Sequence, residues 1–225
     1  METIRGKTSH QLDFKGLAER LAGYNHIRLD LGTGDGRYVR CKAEQHKETF
    51  FIGLDACREN VRANSQRKLP NALFVIANAQ ALPQELNGLA SHVTINFPWG
   101  SLLECLLSNE DLLVSRLLAV TRPFARLDIR LNAEALATAG CTLESGADQI
   151  ERILNADGWR TKSRSWMEAH LLRSFPTTWA KRLAFGRDPR AIHFSLQKID
   201  YFSAMTKPAS VTTEAGLSNE ANPTN

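Results

Sequence analysis

The run Asp30-Leu31-Gly32-Thr33-Gly34-Asp35-Gly36 follows an apolar stretch and opens a helical one. Glycines at such a junction let the backbone turn sharply and approach a ligand closely. Dinucleotide sites space them as G-x-G-x-x-G, the third glycine admitting close helix packing. Here that position is Arg37, so the spacing does not suit a pyrophosphate. Asp55 follows at the end of the next apolar run, placed to accept hydrogen bonds from both hydroxyls of a ribose, with Ala56 beside it. Asp30 can orient the loop or reach a ligand ammonium group. Ala79 and Gln80, after the third apolar run, fall where an adenine ring would lie. An isolated surface Asp explains each carboxylate singly. All of them at strand ends favour one adenosyl ligand, and G-x-G-x-G is the loop of class I methyltransferases.

A second cluster is Asn96-Phe97-Pro98-Trp99-Gly100-Ser101. Methyltransferases of nucleobase amino groups often carry N/D-P-P-Y/F/W after the fourth strand, where the acceptor side chain holds the amine and the aromatic stacks on the flipped base. Here Phe97 replaces the first proline, and Trp99 keeps the stacking ring. The competing reading is a buried Pro-Trp corner. A third cluster, Trp179-Ala180-Lys181-Arg182 through Arg187, sets an indole among cations, as a flipped-base site with phosphate contacts requires.

These residues need a scaffold that brings strand ends together. Apolar runs at 26–32, 50–55, 72–78, 92–97, 125–131, 161–166 and 191–199 read as strands. Helical runs separate several of them, at 38–47, 58–68, 102–107, 111–120 and 146–156. That alternation predicts a Rossmann-like, doubly wound α/β sheet, seven-stranded and mostly parallel, covered on both faces. One domain over residues 1–200 is expected, with a small hairpin within 1–22. Residues 206–225, rich in Pro, Ser, Thr and Asn, read as a disordered tail.

Net charge is +4, yet residues 151–190 hold nine Lys and Arg against four Asp and Glu. That excess points to a polyanionic partner, against the plainer reading of a solvated face. No apolar run reaches membrane-spanning length, and the first residues lack the apolar core of a secretory signal. The four cysteines and six histidines are scattered, so neither a disulfide framework nor a metal site is expected.

On the glycine loop, on Phe97 to Glu104 and on Trp179 to Arg187, the chain resembles the aminoglycoside-resistance 16S rRNA methyltransferases of the kanamycin–apramycin type. These methylate N1 of adenine-1408 in the decoding site. The resemblance runs from Ile4 to about Lys198; the scattered cysteines and histidines lead us to expect a cytoplasmic protein without metal, and a monomer is expected. The resemblance implies S-adenosylmethionine as cofactor and 16S rRNA in the assembled 30S subunit as substrate. By the same resemblance Trp99 and Trp179 sandwich the flipped adenine. Ser101 and Thr177 lie near the methyl group, and Arg182, Arg187 and Arg190 grip RNA, with Lys181 beside them. The cofactor set becomes Asp30, Gly32, Thr33, Gly34, Gly36, Asp55, Ala56, Ala79, Gln80, Asn96, Ser101 and Thr177. Gln80 stands where the family has an acid, and the segments 68–71 and 132–146 are shorter than in the family.

Overall fold

Ile27, Leu29 and Leu31 alternate with Arg28 and Asp30, and the apolar set lies fully buried on one face. The same period recurs in Val93 and Ile95, in Leu127, Ile129 and Leu131, and in Ile192, Phe194 and Leu196. These strands build one continuous apolar face in the computed structural model, which describes residues 1–108, 112–186 and 188–199. Arg187 and the expected tail at 206–225 lie outside the described residues.

The sheet comprises β1 (Glu2–Arg5), β2 (Thr8–Gln11), β3 (His26–Leu31), β4 (Thr49–Asp55), β5 (Ala72–Ile76), β6 (Ala90–Asn96), β7 (Thr121–Asn132), β8 (Trp159–Met167) and β9 (Ala191–Lys198). Their order is β2-β1-β5-β4-β3-β6-β7-β9-β8. Two expectations are thereby corrected. The sheet has nine strands rather than seven, because the N-terminal hairpin β1–β2 adds to the edge through β1 and β5. It is mixed rather than mostly parallel: β5, β4, β3, β6 and β7 run parallel, and both margins are antiparallel.

Helices α1 (Phe14–Leu21), α4 (Gly100–Leu107), α5 (Leu112–Val120), α6 (Ala133–Thr138) and α7 (Leu143–Ala156) bury Leu17, Leu103, Leu117, Leu136 and Ile150 against that apolar face. The capping box of Thr142 and Ser145 starts α7 three residues before the sequence reading placed it. Helices α2 (Arg37–Gln45) and α3 (Arg58–Ser65) cover the opposite face through Tyr38, Val39, Ala43 and Val61, packed with Phe51 and Phe74. Two short helices, α8 (Ala169–Ser174) and α9 (Thr178–Ala184), pack Leu172, Ala180 and Leu183 onto Phe97 and Met167.

From β3 the chain passes outward through β4 to β5, then returns to the other side of β3 to form β6 and β7. β3 and β6 are therefore the strands at which the winding direction reverses. In open α/β sheets a crevice opens at the carboxyl ends of such strands. Among the described residues no helix is long and apolar enough to cross a membrane.

Candidate active site

A cavity of about 660 Å³ opens at that crevice. Its lining includes Asp30, Gly32, Thr33, Gly34, Asp55, Ala56, Ala79, Asn96, Trp99, Ser101, Thr177, Trp179 and Arg182, so most of the site read from the sequence converges there. The loop between β3 and α2 is locked from several sides. Thr33 donates its N–H to Leu54 O at 2.9 Å, and Gly34 donates to Asp55 Oδ2 at 2.8 Å. Gly32 has a φ of +66°, and a Cβ there would stand 2.5 Å from Leu102. A Cβ on Gly34 would meet nothing within 4 Å, because that residue borders the cavity. Gly36 does not line the cavity: with φ +73° it starts α2, and a Cβ would meet Phe74 at 2.5 Å. It keeps the loop close to the sheet.

Asp55 serves as a loop clip as well as a candidate ribose acceptor. Oδ1 accepts from Cys57 N at 2.9 Å and from Asn60 Nδ2 at 3.2 Å, while Oδ2 holds Gly34. An ionised carboxylate has roughly four acceptor positions, so room remains for a hydroxyl.

Asp30 is buried at 3% exposure. Its Oδ1 accepts from Thr94 Oγ1 at 2.6 Å and from Asn96 Nδ2 at 2.7 Å. Burial raises its pKa to about 6, although those hydrogen bonds and the charge of Arg130 oppose the shift. Asn96 is held at both ends, because Arg130 Nη1 donates to Asn96 Oδ1 at 2.9 Å. Arginine only donates and an ionised carboxylate only accepts, so the two neighbours fix the amide orientation. The Asn96 oxygen is thus already engaged, which disfavours its use as the acceptor for an exocyclic amine.

Trp99 precedes α4, and Trp179 is the second residue of α9. Their ring centroids are 5.4 Å apart with an interplanar angle of 28°. Trp179 is 42% exposed, which excludes a core role for it. Trp99 is partly buried beside the main core, and its Nε1–H is buried without a protein acceptor. Arg182 lies over Trp179, its Cζ 5.4 Å from the ring centre. Thr177 Oγ1 accepts from Ala180 N at 2.9 Å, so this hydroxyl caps α9 besides facing the cavity. Lys181 is exposed on α9.

Besides Gly36 and Lys181, two more expected residues, Gln80 and Arg190, are not among the residues that line the cavity. Gln80 turns its Nε2 toward Cys105 Sγ at 2.7 Å, beside the cavity wall. Arg190 is engaged by Asp188, with contacts at 2.9 and 2.7 Å, at the entrance to β9.

The sequence reading passed over Asp35. Its Oδ2 accepts from Thr178 Oγ1 at 2.6 Å, a tie between the glycine loop and α9 across 143 positions. It also passed over Arg130, and over Asn60, whose amide supports Asp55. An Asp inside a glycine loop carries a signal, but its partner far along the chain carries none.

The carboxylate-lined loop and the paired indoles at one crevice invite comparison with known proteins. The family model NpmA, 16S rRNA (adenine(1408)-N(1))-methyltransferase, matches residues 2–198. A 16S rRNA (adenine(1408)-N(1))-methyltransferase of Escherichia coli is 30% identical, over 83% of this chain and 94% of that relative. One of the same name from Streptoalloteichus hindustanus is 32% identical, over 73% and 83%. The solved structure of the aminoglycoside resistance methyltransferase NpmB1 is 31% identical and superposes with a TM-score of 0.72, covering 88% of this chain and 99% of that one. With a family model matched over nearly the whole described fold, the chain belongs to the 16S rRNA (adenine(1408)-N(1))-methyltransferase family.

Proposed function

We infer that this chain transfers a methyl group from S-adenosylmethionine to N1 of adenine-1408 of 16S rRNA in the assembled 30S subunit, and so protects against aminoglycosides. The observation that supports it most is the pair of indoles stacked at the mouth of the glycine-loop cavity, one of them exposed and backed by a cation.

The residues present suit the cofactor. Gly34 leaves open space for it, Asp55 keeps acceptor capacity for its ribose, and Asp30 sets a carboxylate at the methionine end. When bound, S-adenosylmethionine supplies an electrophilic methyl group, and adenine N1 is a neutral nucleophile that needs no general base. This chain's residues therefore orient and exclude water. Asn96, turned to Asp30 and Arg130, is not required to hold an amine, which suits a ring nitrogen better than an exocyclic one.

In this reading Trp99 and Trp179 enclose the flipped base. The rings now touch at 5.4 Å, whereas a base between them needs two stacking spacings of about 3.4 Å. So α9 moves outward on binding, and Arg182 moves with it toward a phosphate. Two indole stacks at roughly 1–3 kcal/mol each offset the few kcal/mol of base extrusion. The methylated base is cationic, and electron-rich indole faces tolerate that charge. The enzyme acts as a cytoplasmic monomer. The deciding experiment is incubation of 30S subunits with the protein and labelled cofactor, followed by mapping of the modified nucleotide. Label at N1 of adenine-1408 is expected, and label elsewhere or none sinks the proposal.

A further inference from the structure

Arg130 lies at the carboxyl end of β7, where three features of the site meet on one side chain and its backbone. Its Nη1 donates to Asn96 Oδ1 at 2.9 Å, and Asn96 passes the link to Asp30 at 2.7 Å. Its backbone carbonyl accepts from Phe97 N at 2.8 Å. Its Cζ sits 4.7 Å from the ring centre of Phe175. Phe175 in turn lies flat on Tyr38 at 5.6 Å and edge-on to Phe97 at 5.6 Å. Phe175 O accepts from Thr177 N at 2.9 Å, and Thr177 caps the helix that carries Trp179. A partly buried guanidinium is costly to desolvate, and burial does depress its pKa. A leucine in its place would pack against Phe175 at lower cost, but it could not bond Asn96.

We propose that Arg130 is a positioning residue: anchored on Asn96, it sets Trp179 against Trp99 through Phe175. The proposal rests on the reading that the two tryptophans hold the target base, but its first test does not. Two stacked indoles give an exciton couplet in far-ultraviolet circular dichroism of the free protein, and Trp99→Phe and Trp179→Phe identify it. Arg130→Met should remove most of that couplet, and Arg130→Lys should retain it, since an ammonium can still reach Asn96 and lie over Phe175. On 30S subunits, Arg130→Met should lower kcat/KM about threefold to fivefold, no more than Trp179→Ala does, while cofactor affinity by calorimetry stays within about threefold. Combined with Trp179→Ala it should add less than about twofold, because both changes remove one wall. An intact couplet in folded Arg130→Met, or multiplicative losses in the double variant, overturns the proposal. If Arg130→Met does not fold, Arg130→Gln keeps a donor for Asn96 but no cation over Phe175, and an unchanged couplet there overturns it equally. If Trp179→Ala methylates at the wild-type rate, the base-stacking reading fails while the couplet still decides the role of Arg130.

Discussion

Replacing Trp179 by alanine removes a wall of the proposed base slot, and the structure sets the size of the effect. In the free protein the two indoles already stack, with centroids 5.4 Å apart. Such an aromatic pair contributes about 0.5–1.5 kcal/mol beyond burial. A base that enters must break this pair, and it then gains two base–indole stacks of roughly 1–3 kcal/mol each. In Trp179→Ala one of those stacks is lost, but the pair that had to be broken is gone as well. Taking the middle of each range, the net loss is about 1 kcal/mol, roughly fivefold in kcat/KM. This is smaller than the full worth of one stack. The contact of Arg182 with the ring, about 0.5–1 kcal/mol at an exposed site, is already present in the free protein, so its loss bears on stability rather than on kcat/KM. Trp179→Phe keeps a smaller face and should lose less. The assay is the initial rate of methyl transfer to 30S subunits at subsaturating substrate, with melting curves and cofactor calorimetry on the same samples. Because Trp179 is 42% exposed, alanine removes little beyond the ring pair and the Arg182 contact, so the melting temperature should fall by only a few degrees. A drop of many degrees, or loss of cofactor binding with activity, would refute the assignment of this ring to substrate.

Asp55→Ala should weaken cofactor binding by tenfold or more. It deletes a charged acceptor worth roughly 1.5–3 kcal/mol and frees Gly34, Cys57 and Asn60; unchanged calorimetric affinity in the folded variant removes Asp55 from the site. Asp30 makes a pH prediction. Its folded pKa is raised from 3.8 to about 6, so its contribution to stability is fully present below about 4 and is lost as pH rises through about 6. Measured against Asp30→Asn, the wild type should therefore lose about 3 kcal/mol of relative stability between pH 4 and 7 in denaturant titrations. A flat difference means that the carboxylate does not feel its burial. Arg182→Glu should leave cofactor affinity unchanged while weakening 30S binding and flattening its salt dependence. Equal salt slopes for the two proteins would reduce that residue to a solvated cation.

The sequence announced those parts of the molecule that repeat a local rule. Near-continuous apolar runs such as Thr49–Asp55, buried along almost their whole length, mark strands covered on both faces. Their ends located the cavity residues Asp30, Asp55 and Asn96 together. What escaped were features decided by distant packing. Helix α9 has seven residues and little amphipathic pattern, and it exists because Ala180 and Leu183 bury against Phe97 and Met167. Antiparallel pairing of β9 with β7, and of β8 with β9, is likewise absent from a hydrophobic pattern that parallel strands share. Gln80 reads as a ligand contact from its position alone, and nothing in that position foretells that its amide turns to Cys105 on the cavity wall. The bond from Asp35 to Thr178 joins elements too far apart for any spacing rule.

Phe97 shows how the loop after β6 departs from the proline-containing version its sequence suggests. Its φ is +53°, in a region closed to proline, whose ring holds φ near −65°. A non-glycine residue pays roughly 1–2 kcal/mol to sit there. Full burial of a phenyl ring returns about 1.5–3 kcal/mol, and Phe97 is 2% exposed among Met167, Leu172, Ala180 and Leu183. The strained backbone is therefore held by α8, by the end of β8 and by α9, the helix that carries Trp179. Its N–H bond to Arg130 O keeps the strand paired up to the turn, after which Pro98 and Trp99 leave the sheet and start α4. The two indoles depend on one packing unit, since the ring that stabilises the turn before Trp99 also seats the helix of Trp179. A small residue at position 97 would relax the backbone and loosen α9 at once, so the placement of both tryptophans follows from a single buried side chain.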